Sequence, residues 1–180
     1  MLPNWLLYAT AVLFIVLAGT ALFFFTLTRG ALILRTVTGQ ADSTAAHVYP
    51  IYSNMRLIRL VDWQPIIAAI LLFQYDRLVS AITSGLRQTD LRGKKVLITS
   101  CAFGNVIPRV VQASTDAGAS RVLVADIILN ELQHARTKLP AFAGRVDYIE
   151  ENATAMTLAD GSVDANVIFF LLHELPHELK

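Results

Sequence analysis

Strand and helix patterns alternate at short intervals from Lys95 to Leu171, and this alternation constrains the fold more than any other feature of the sequence. The strands are predicted at Lys95–Ser100, Arg121–Asp126, Arg145–Glu150 and Val163–Leu171, and the helices at Val106–Asp116 and about Leu129–Lys138. Such alternation produces a parallel sheet with right-handed crossover connections. The sequence therefore predicts the α/β class for this part of the chain.

The stretch Lys94–Arg109, KKVLITSCAFGNVIPR, contains the first strand, the turn after it and the start of the first helix of this half. Val96–Ile98 is a short buried-strand pattern, small residues follow it, and a helix pattern begins near Asn105. Such a turn places the free N–H groups of a helix at the carboxyl end of a strand, where open α/β sheets bind nucleotide-like ligands. Gly104 is its only glycine, so the turn alone is a weak motif.

Asp126 closes the second predicted strand, in the sequence RVLVAD. In a doubly wound nucleotide-binding fold, an acid at this position accepts hydrogen bonds from both ribose hydroxyls. An aspartate is also well suited to cap the following helix. The alternation around it favours the ribose role.

The charge and cysteine content exclude some classes of function. The formal net charge is +1, with lysine and arginine scattered along the chain, which argues against a nucleic acid as partner. Cys101 is the only cysteine, so no disulfide forms within the chain, and this fits a reducing compartment for the soluble part.

An uncharged run from Trp5 to Leu27 accounts for much of the apolar excess of this chain, which is 54% hydrophobic and 16% charged. As a helix, the run is about 35 Å long, enough to cross a hydrocarbon core of about 30 Å. Trp5 and Tyr8 lie where an interfacial aromatic belt is expected. The alternatives, a cleaved signal peptide or a buried helix, are disfavoured by the length of the run.

The basic residues nearest this run all follow it, and they are Arg29, Arg35, Arg56 and Arg59. The positive-inside rule then places the rest of the chain in the cytoplasm, as a single-pass protein of the inner membrane. Residues 1–30 are predicted as the anchor, 31–93 as a linker with membrane-proximal helices, and 94–180 as the α/β domain.

The region between anchor and domain begins with a small, polar linker, Thr36–Ala46, and an extended aromatic segment, His47–Tyr52. A helix is predicted within Val61–Ala81, beginning near Asp62 or Trp63, with an apolar core too short to cross a bilayer. It either covers the sheet or lies in the membrane interface. Ser84–Gly93 is predicted as the loop into the first strand.

Five motifs occur in an order and spacing that resemble the class I S-adenosylmethionine-dependent methyltransferases. They are Lys95–Asn105, VLVAD ending at Asp126, ENATAM at Glu151–Met156, DGSVD at Asp160–Asp164 and FFLLHELP at Phe169–Pro176. They look most like the branch related to quinone methyltransferases, and the turn CAFGN and the run FFLLHELP resemble those of rhodoquinone-biosynthesis proteins. The resemblance covers about Tyr75–Lys180 and implies a Rossmann-like parallel sheet.

This resemblance implies S-adenosylmethionine as cofactor and a set of cofactor-binding residues. The set is Thr99, Ser100, Cys101, Ala102, Gly104, Asp126, Ile127, Asn152, Ala153 and Phe170. Asn152 stands where the family usually has an aspartate near adenine N6, and its amide oxygen can accept the same bond. Tyr75 and Asp76 lie where related enzymes close over the cofactor.

The sequence also departs from the family at the methionine end of the cofactor site. The family has an acid and three glycines in its first motif, and these positions here are Ile98, Ser100, Ala102 and Gly104. The acid that meets the methionine amino group is therefore absent, as is much of the room for a close backbone approach.

The rhodoquinone branch implies replacement of a methoxy group of ubiquinone by an amino group, rather than methyl transfer. In that reaction S-adenosylmethionine is the amino donor and a divalent metal, manganese, assists. The implied partners are an isoprenoid quinone and membrane lipid. Two alternatives remain open: an ordinary methyltransferase acting on a quinone or another lipid, and a non-catalytic membrane-anchored binding module.

The run His173–His177, HELPH, matches the zinc-protease pattern H-E-x-x-H. That chemistry needs both histidines on one face of an unbroken helix, and Pro176 disrupts such a helix. His173 and Glu174 are instead predicted as catalytic residues that handle the substrate or bind metal at the edge of the sheet, with a loop histidine and a solvated acid as the alternative. Cys101 is predicted to be a packing residue rather than a nucleophile.

The chain ends at Lys180, just past the fourth predicted strand, whereas a class I fold continues with further strands and helices. We therefore expect an incomplete sheet whose fourth strand is an exposed apolar edge, and a truncated sequence.

Overall fold

The computed structural model describes residues 3–27, 30, 50–101, 103–172 and 175. The chain divides into two compact units, Met1–Ser53 and Asn54–Lys180, which are described separately. The predicted linker Thr36–Ala46 and most of the aromatic segment after it lie outside the described residues.

The first unit contains helix α1, Asn4–Leu27, and a short 3-10 helix at Pro50–Ser53. Within α1, Asn4–Thr26 has a mean hydropathy of 2.3 and no part of it is buried. By length and composition it is able to cross a membrane, although a signal sequence near an amino terminus has the same properties.

The second unit begins with three helices: α2 at Met55–Val61, α3 at Gln64–Ile70 and α4 at Tyr75–Gln88. The helix predicted to begin near Asp62 or Trp63 does begin there, since Trp63 is the N-cap of α3. It is not one helix through Val61–Ala81, because α3 and α4 meet at an angle of 96° across Leu71–Gln74. Leu72 and Phe73 have left-handed φ values of 49° and 60°, which end α3 and turn the chain. Helix α2 was not predicted; its start is capped by the Asn54 side chain, which accepts the N–H of Arg56.

The loop predicted at Ser84–Gly93 is also wrong at its start, because α4 continues to Gln88. Val79, Thr83 and Leu86 of α4 are buried at helical spacing, and this apolar face extends the helix past Ser84. Ser84 and Gly85 lie on the exposed face of α4, whereas Asp90 and Gly93 follow the helix and belong to the loop that leads to β1.

The sheet contains four parallel strands in the order β3-β2-β1-β4 among the described residues. The strands are β1 at Lys95–Thr99, β2 at Arg121–Asp126, β3 at Val146–Glu150 and β4 at Ala165–Ile168, with α5 at Val106–Asp116 and α6 at Leu129–Thr137 between the first three. The predicted α/β class is confirmed, and each predicted strand and helix of this half is present.

Strand β4 is an edge of the sheet among the described residues, as predicted, but it is shorter than the predicted Val163–Leu171. Phe170 has a left-handed φ of 57°, which is incompatible with a continuing strand. The apolar pattern continues beyond β4 because the following residues pack at the end of the sheet, where Phe169 is buried.

The core lies between β1, β2 and the helix α5. Three consecutive β1 residues, Val96–Ile98, are buried, as expected for a strand covered on both faces. Helix α5 contributes Val106, Ile107, Val110 and Val111 to the same cluster. This packing fixes the amino terminus of α5 beside the carboxyl end of β1.

Candidate cofactor site

The candidate site lies at the carboxyl edge of the sheet. From β1 the chain moves outward to β2 and β3, and then returns to place β4 on the other side of β1. The strand order therefore reverses between β1 and β4, and in open α/β sheets ligands bind outside the carboxyl ends at such a reversal.

The turn after β1 is joined directly to the end of β2. Ser100, at a left-handed φ of 82°, donates its N–H to the Ala125 carbonyl at 2.8 Å. Cys101 then donates its N–H to Asp126 Oδ2 at 2.6 Å. The two positions on which the predicted site depends, Ser100 and Asp126, are thus neighbours at the carboxyl ends of adjacent parallel strands.

Asp126 is only 8% exposed and makes two hydrogen bonds to the backbone. Besides the Cys101 N–H on Oδ2, its Oδ1 accepts the N–H of Ile128 at 2.8 Å. Burial raises the pKa of this carboxyl, and the hydrogen bonds from the backbone of Cys101 and Ile128 oppose that rise. Since a carboxylate offers about four acceptor sites, the two amides leave capacity for a ribose diol.

The thiol of Cys101 is buried beside this carboxylate. Burial, and after it the charge of Asp126, raises the pKa of the thiol, which keeps it protonated. This environment agrees with the predicted packing role of Cys101 and not with a nucleophile.

Gly104 ends the turn at a φ of 84°, against the buried ring of Tyr75. A Cβ at Gly104 would lie 2.6 Å from Tyr75 Cζ and closer still to the phenol oxygen. Tyr75 donates its O–H to the Phe103 carbonyl at 3.3 Å, and burial raises the pKa of the phenol to about 12. Tyr75 therefore lies beneath the turn, as a support for its backbone.

The end of β4 supplies aromatic side chains to the same edge. Thr99 at the end of β1 is held to β4 by a hydrogen bond from its Oγ1 to Asn166 Oδ1 at 2.8 Å. The rings of Phe169 and Phe170 pack edge to face, with their centroids 4.4 Å apart, and the ring of Phe169 packs in the same way against Tyr75. Phe170 is partly exposed, so it presents an apolar surface at the mouth of the site.

The residues after β2 and β3 complete the edge. Ile127 is exposed directly after the buried Asp126, and Ala153 is half-buried. Asn152 Oδ1 accepts both the N–H and the hydroxyl of Thr154, at 3.0 and 2.8 Å. These two bonds occupy the acceptor predicted for adenine N6, so its role in adenine binding remains a prediction.

A buried polar cluster that we did not predict from the sequence lies on the helix side of the turn. Asp62, directly after α2, accepts the Gly104 N–H on Oδ1, and its Oδ2 lies 2.7 Å from His134 Nε2. Lys138 Nζ lies 2.9 and 2.7 Å from the two Asp62 oxygens and donates to the Gly104 carbonyl at 3.0 Å. The backbone N–H and the backbone carbonyl of Gly104 are thus both hydrogen-bonded to side chains from outside the turn.

Glu131 of α6 extends this cluster toward Asp126. It is 3% exposed, and its Oε1 has no hydrogen-bond partner within the described part of the chain. Burial, and after it the negative charge of Asp126, raises the pKa of Glu131 to about 8. Near neutral pH this carboxyl is therefore largely protonated.

The raised pKa of Glu131 predicts a specific pH dependence of stability. Between the ordinary value of 4.5 and about 8, the folded chain holds a proton that the unfolded chain has released. The free energy of unfolding should therefore fall by roughly 1.4 kcal/mol per pH unit across this window and level off above it. Urea denaturation of the full chain at a series of pH values measures the slope.

Glu131→Gln should remove that slope and exceed the parent in stability above pH 8, because the amide stays neutral. Glu150→Gln, at an exposed glutamate of β3, is the matched control and should keep the slope of the parent. Identical pH profiles for Glu131→Gln and the parent would contradict this assignment.

Three predicted site residues, Ala102, His173 and Glu174, lie outside the described residues. No group of three or more histidine, cysteine or acidic side chains able to hold a metal ion occurs among the residues that the structure does describe. The manganese that the resemblance implies therefore has no supporting site in the described part of the chain.

The sequence did contain a signal for the missed cluster. Asp62 is the only acid between Asp42 and Asp76, and an isolated acid in an apolar stretch suggests a buried partner. Glu131, His134 and Lys138 follow at spacings of three and four, on one face of a helix. Neither segment alone predicts that Asp62 and the residues of this helix face come together at Gly104.

Comparison with known proteins identifies the fold. The family model described as a methyltransferase domain matches residues 100–180, which begin at the turn after β1. The α/β half of this chain has the class I methyltransferase fold. The strand order and the acid at the end of β2 agree with it.

One relative is similar to this chain over about half of its length. The ubiquinone/menaquinone biosynthesis C-methyltransferase UbiE of Methylobacterium nodulans (strain LMG 21967 / CNCM I-2342 / ORS 2060) is 35% identical over 98 residues. The match covers 54% of this chain and 38% of the relative. This chain therefore matches well under half the length of that protein.

Proposed function

We propose that this protein binds S-adenosylmethionine at the carboxyl edge of its sheet and modifies an isoprenoid quinone. The observation that carries the proposal is the hydrogen bond from the Cys101 N–H, in the turn after β1, to the Asp126 carboxylate. It lies at the point where the strand order reverses. In open α/β sheets, nucleotide ligands bind outside the carboxyl ends of the strands at such a reversal, and an acid at the end of a strand can bind the ribose.

The described residues fit the adenosyl part of the cofactor. Asp126 would accept the ribose hydroxyls with the acceptor capacity that its two backbone bonds leave free. Ile127 and Phe170 would offer exposed apolar surfaces to the adenine ring. When bound, S-adenosylmethionine supplies an electrophilic sulfonium and an amino group, and the chain supplies position and exclusion of water.

The altered methionine end supports exchange of a ring methoxy group for an amino group as the reaction. Ile98, where the family has the acid that meets the methionine amino group, is buried in the core. At Gly104, the backbone N–H is bound by Asp62 and the backbone carbonyl by Lys138. In this reaction the donor nitrogen forms a bond to the ring carbon while the methoxy group leaves that carbon as methanol. The bond from the nitrogen to the α carbon of the donor then breaks, with loss of a proton from the donor's β carbon, and the amine stays on the ring.

Methylation of the quinone ring is the second candidate, and the relative supports it, since that protein is named as a quinone-biosynthesis C-methyltransferase. We also propose that α1 anchors the protein in the inner membrane with the α/β unit in the cytoplasm, which would give the site access to a lipid-dissolved quinone. His173 and Glu174 remain predicted substrate-handling residues, and no step is assigned to a metal.

The adenosyl site is tested by calorimetric titration of S-adenosylmethionine into the full chain and its Asp126→Asn variant. We expect the variant to bind at least about tenfold more weakly, because it loses a charge-assisted acceptor of the ribose. Asp164→Asn is the matched control, since Asp164 also accepts a strand N–H, from Lys95, but at the amino edge of the sheet. Equal affinities for the two variants would contradict the assignment of Asp126.

The reaction is tested by incubating the full chain, reconstituted in vesicles, with ubiquinone and two labelled forms of S-adenosylmethionine. One form carries the isotope in the amino nitrogen and the other in the methyl carbon, and the quinones are analysed by mass spectrometry. Nitrogen label in the product supports amino exchange, and methyl label supports methylation instead. Tight binding without either label would favour the non-catalytic binding module.

A further inference from the structure

Five large apolar side chains are exposed around the short helix α3, within fourteen consecutive residues. They are Leu60, Trp63, Ile70, Leu72 and Phe73, and we call them the α3 patch. Leu72 and Phe73 are each 79% exposed, and Trp63 is 62% exposed. Single exposed apolar residues are normal on soluble surfaces, whereas a contiguous group marks an interaction surface. Trp63 and Ile70 share one face of α3 because seven residues separate them, and Leu72 and Phe73 follow Ile70 within three residues.

The turn between α3 and α4 holds two of these side chains outward at the cost of backbone strain. Leu72 and Phe73 both have left-handed φ values, which bulky residues rarely adopt. Phe73 donates its N–H to the Ala68 carbonyl at 2.6 Å, which fixes the turn. Glycine or asparagine would make the same turn with less strain, so the backbone does not itself require apolar side chains at these two positions.

The same helix also has a buried side, so the exposed side chains are not an unpacked core. Ile67 of α3 is buried in the main hydrophobic cluster, and Leu71 packs against that cluster. The helix is thus seated on the α/β unit by one set of residues and presents the other set to its surroundings.

The charges around the patch are positive. Residues 54–77 contain three arginines, Arg56, Arg59 and Arg77, and all three are exposed. Of the two acids in this stretch, Asp62 is directed into the protein against Lys138, and Asp76 is paired with Arg109. Exposed aromatic and aliphatic side chains beside exposed arginines complement the surface of an anionic bilayer.

We propose that the α3 patch inserts into the interface of an anionic lipid bilayer and seats the α/β unit on the membrane. The inference rests on the proposed association of this protein with a membrane, but it depends neither on α1 as the anchor nor on the cofactor chemistry. A membrane-seated α3 would bring Asp62, and with it the turn at Gly104, close to the lipid surface, since Asp62 directly precedes Trp63.

The two tryptophans of the chain allow the patch and the anchor to be tested separately. Trp5→Phe leaves Trp63 as the reporter of the patch, and Trp63→Phe leaves Trp5 as the reporter of α1. The full chain is reconstituted in vesicles of brominated phosphatidylcholine and phosphatidylglycerol. We expect the lipid bromines to quench about half of the Trp63 emission, and aqueous iodide to quench little of it.

Two variants separate insertion from mere tethering by α1. Leu72→Asn with Phe73→Gly suits the left-handed backbone and should preserve thermal stability while reducing the quenching of Trp63 by lipid. Arg59→Gln should weaken the preference for anionic vesicles, whereas Arg92→Gln, at an exposed arginine paired with Asp90, should not.

Quenching of Trp63 by iodide but not by lipid would overturn the proposal, and so would shielding from both, which would indicate a protein contact. If Trp5 is quenched by lipid and Trp63 is not, the patch is refuted and the anchor stands. If Trp63 is quenched and Trp5 is not, the patch is supported and the anchor is refuted.

Discussion

Asp62→Ala is expected to destabilise the α/β unit by about 3–5 kcal/mol, because it leaves the largely buried ammonium of Lys138 without its carboxylate. The same change removes the acceptor of the Gly104 N–H and the partner of His134. Urea denaturation followed by far-ultraviolet circular dichroism measures the loss. The affinity for S-adenosylmethionine should fall as well, since the turn after β1 loses an external support.

Two further variants isolate the charge from the hydrogen bonds of Asp62. Asp62→Asn keeps an acceptor for the Gly104 N–H and should cost less than the alanine. Combining Asp62→Asn with Lys138→Met removes the unpaired ammonium and should recover part of that loss. A double-mutant cycle over these variants, with Lys138→Met as the second single variant, gives the coupling free energy between Asp62 and Lys138.

Asp76→Ala is the matched control for Asp62→Ala. Asp76 also pairs with a basic side chain, Arg109, at 2.8 Å, but it is well exposed. Its removal should cost at most about 1 kcal/mol, as exposed ion pairs do. If Asp62→Ala costs no more than Asp76→Ala, the buried cluster does not stabilise the turn.

Gly104→Ala is expected to cost about 2–5 kcal/mol and to weaken cofactor binding strongly. An alanine must adopt the left-handed φ of 84°, which costs about 1–2 kcal/mol. Its Cβ must also displace the buried ring of Tyr75, which adds about 1–3 kcal/mol. Denaturation and calorimetric titration of the full chain measure the two effects.

Gly93→Ala separates the two contributions. Gly93 has a similar φ of 73°, but no atom lies within 4 Å of the position of a Cβ, so its variant should show the backbone strain alone. Adding Tyr75→Phe to Gly104→Ala removes the phenol oxygen nearest the new Cβ and should recover part of the loss. Equal costs for Gly93→Ala and Gly104→Ala would contradict a steric role of Tyr75.

Buried positions with regular periodicity were the ones that the sequence predicted best. The strand Arg121–Asp126 and the helix Val106–Asp116 have the predicted bounds. Residues of these elements that face the core must be apolar, and their spacing in the sequence therefore marks where each element begins and ends. The region before the sheet was predicted less well. There α2 was missed and the bend at Leu72 was hidden, since an apolar run has the same composition whether it is straight or broken.

The sequence by itself determined the α/β class, the strand-to-helix turn at Ser100 and the acid at the end of β2, because each depends on residues close together in the chain. Only the tertiary structure decided that Asp62, His134 and Lys138 converge on Gly104. More than thirty residues separate each of these side chains from one of its partners, and local periodicity carries no information about which distant charges share a buried site. The burial that pairs these charges arises only when the helices pack against the sheet, and so it is a property of the fold.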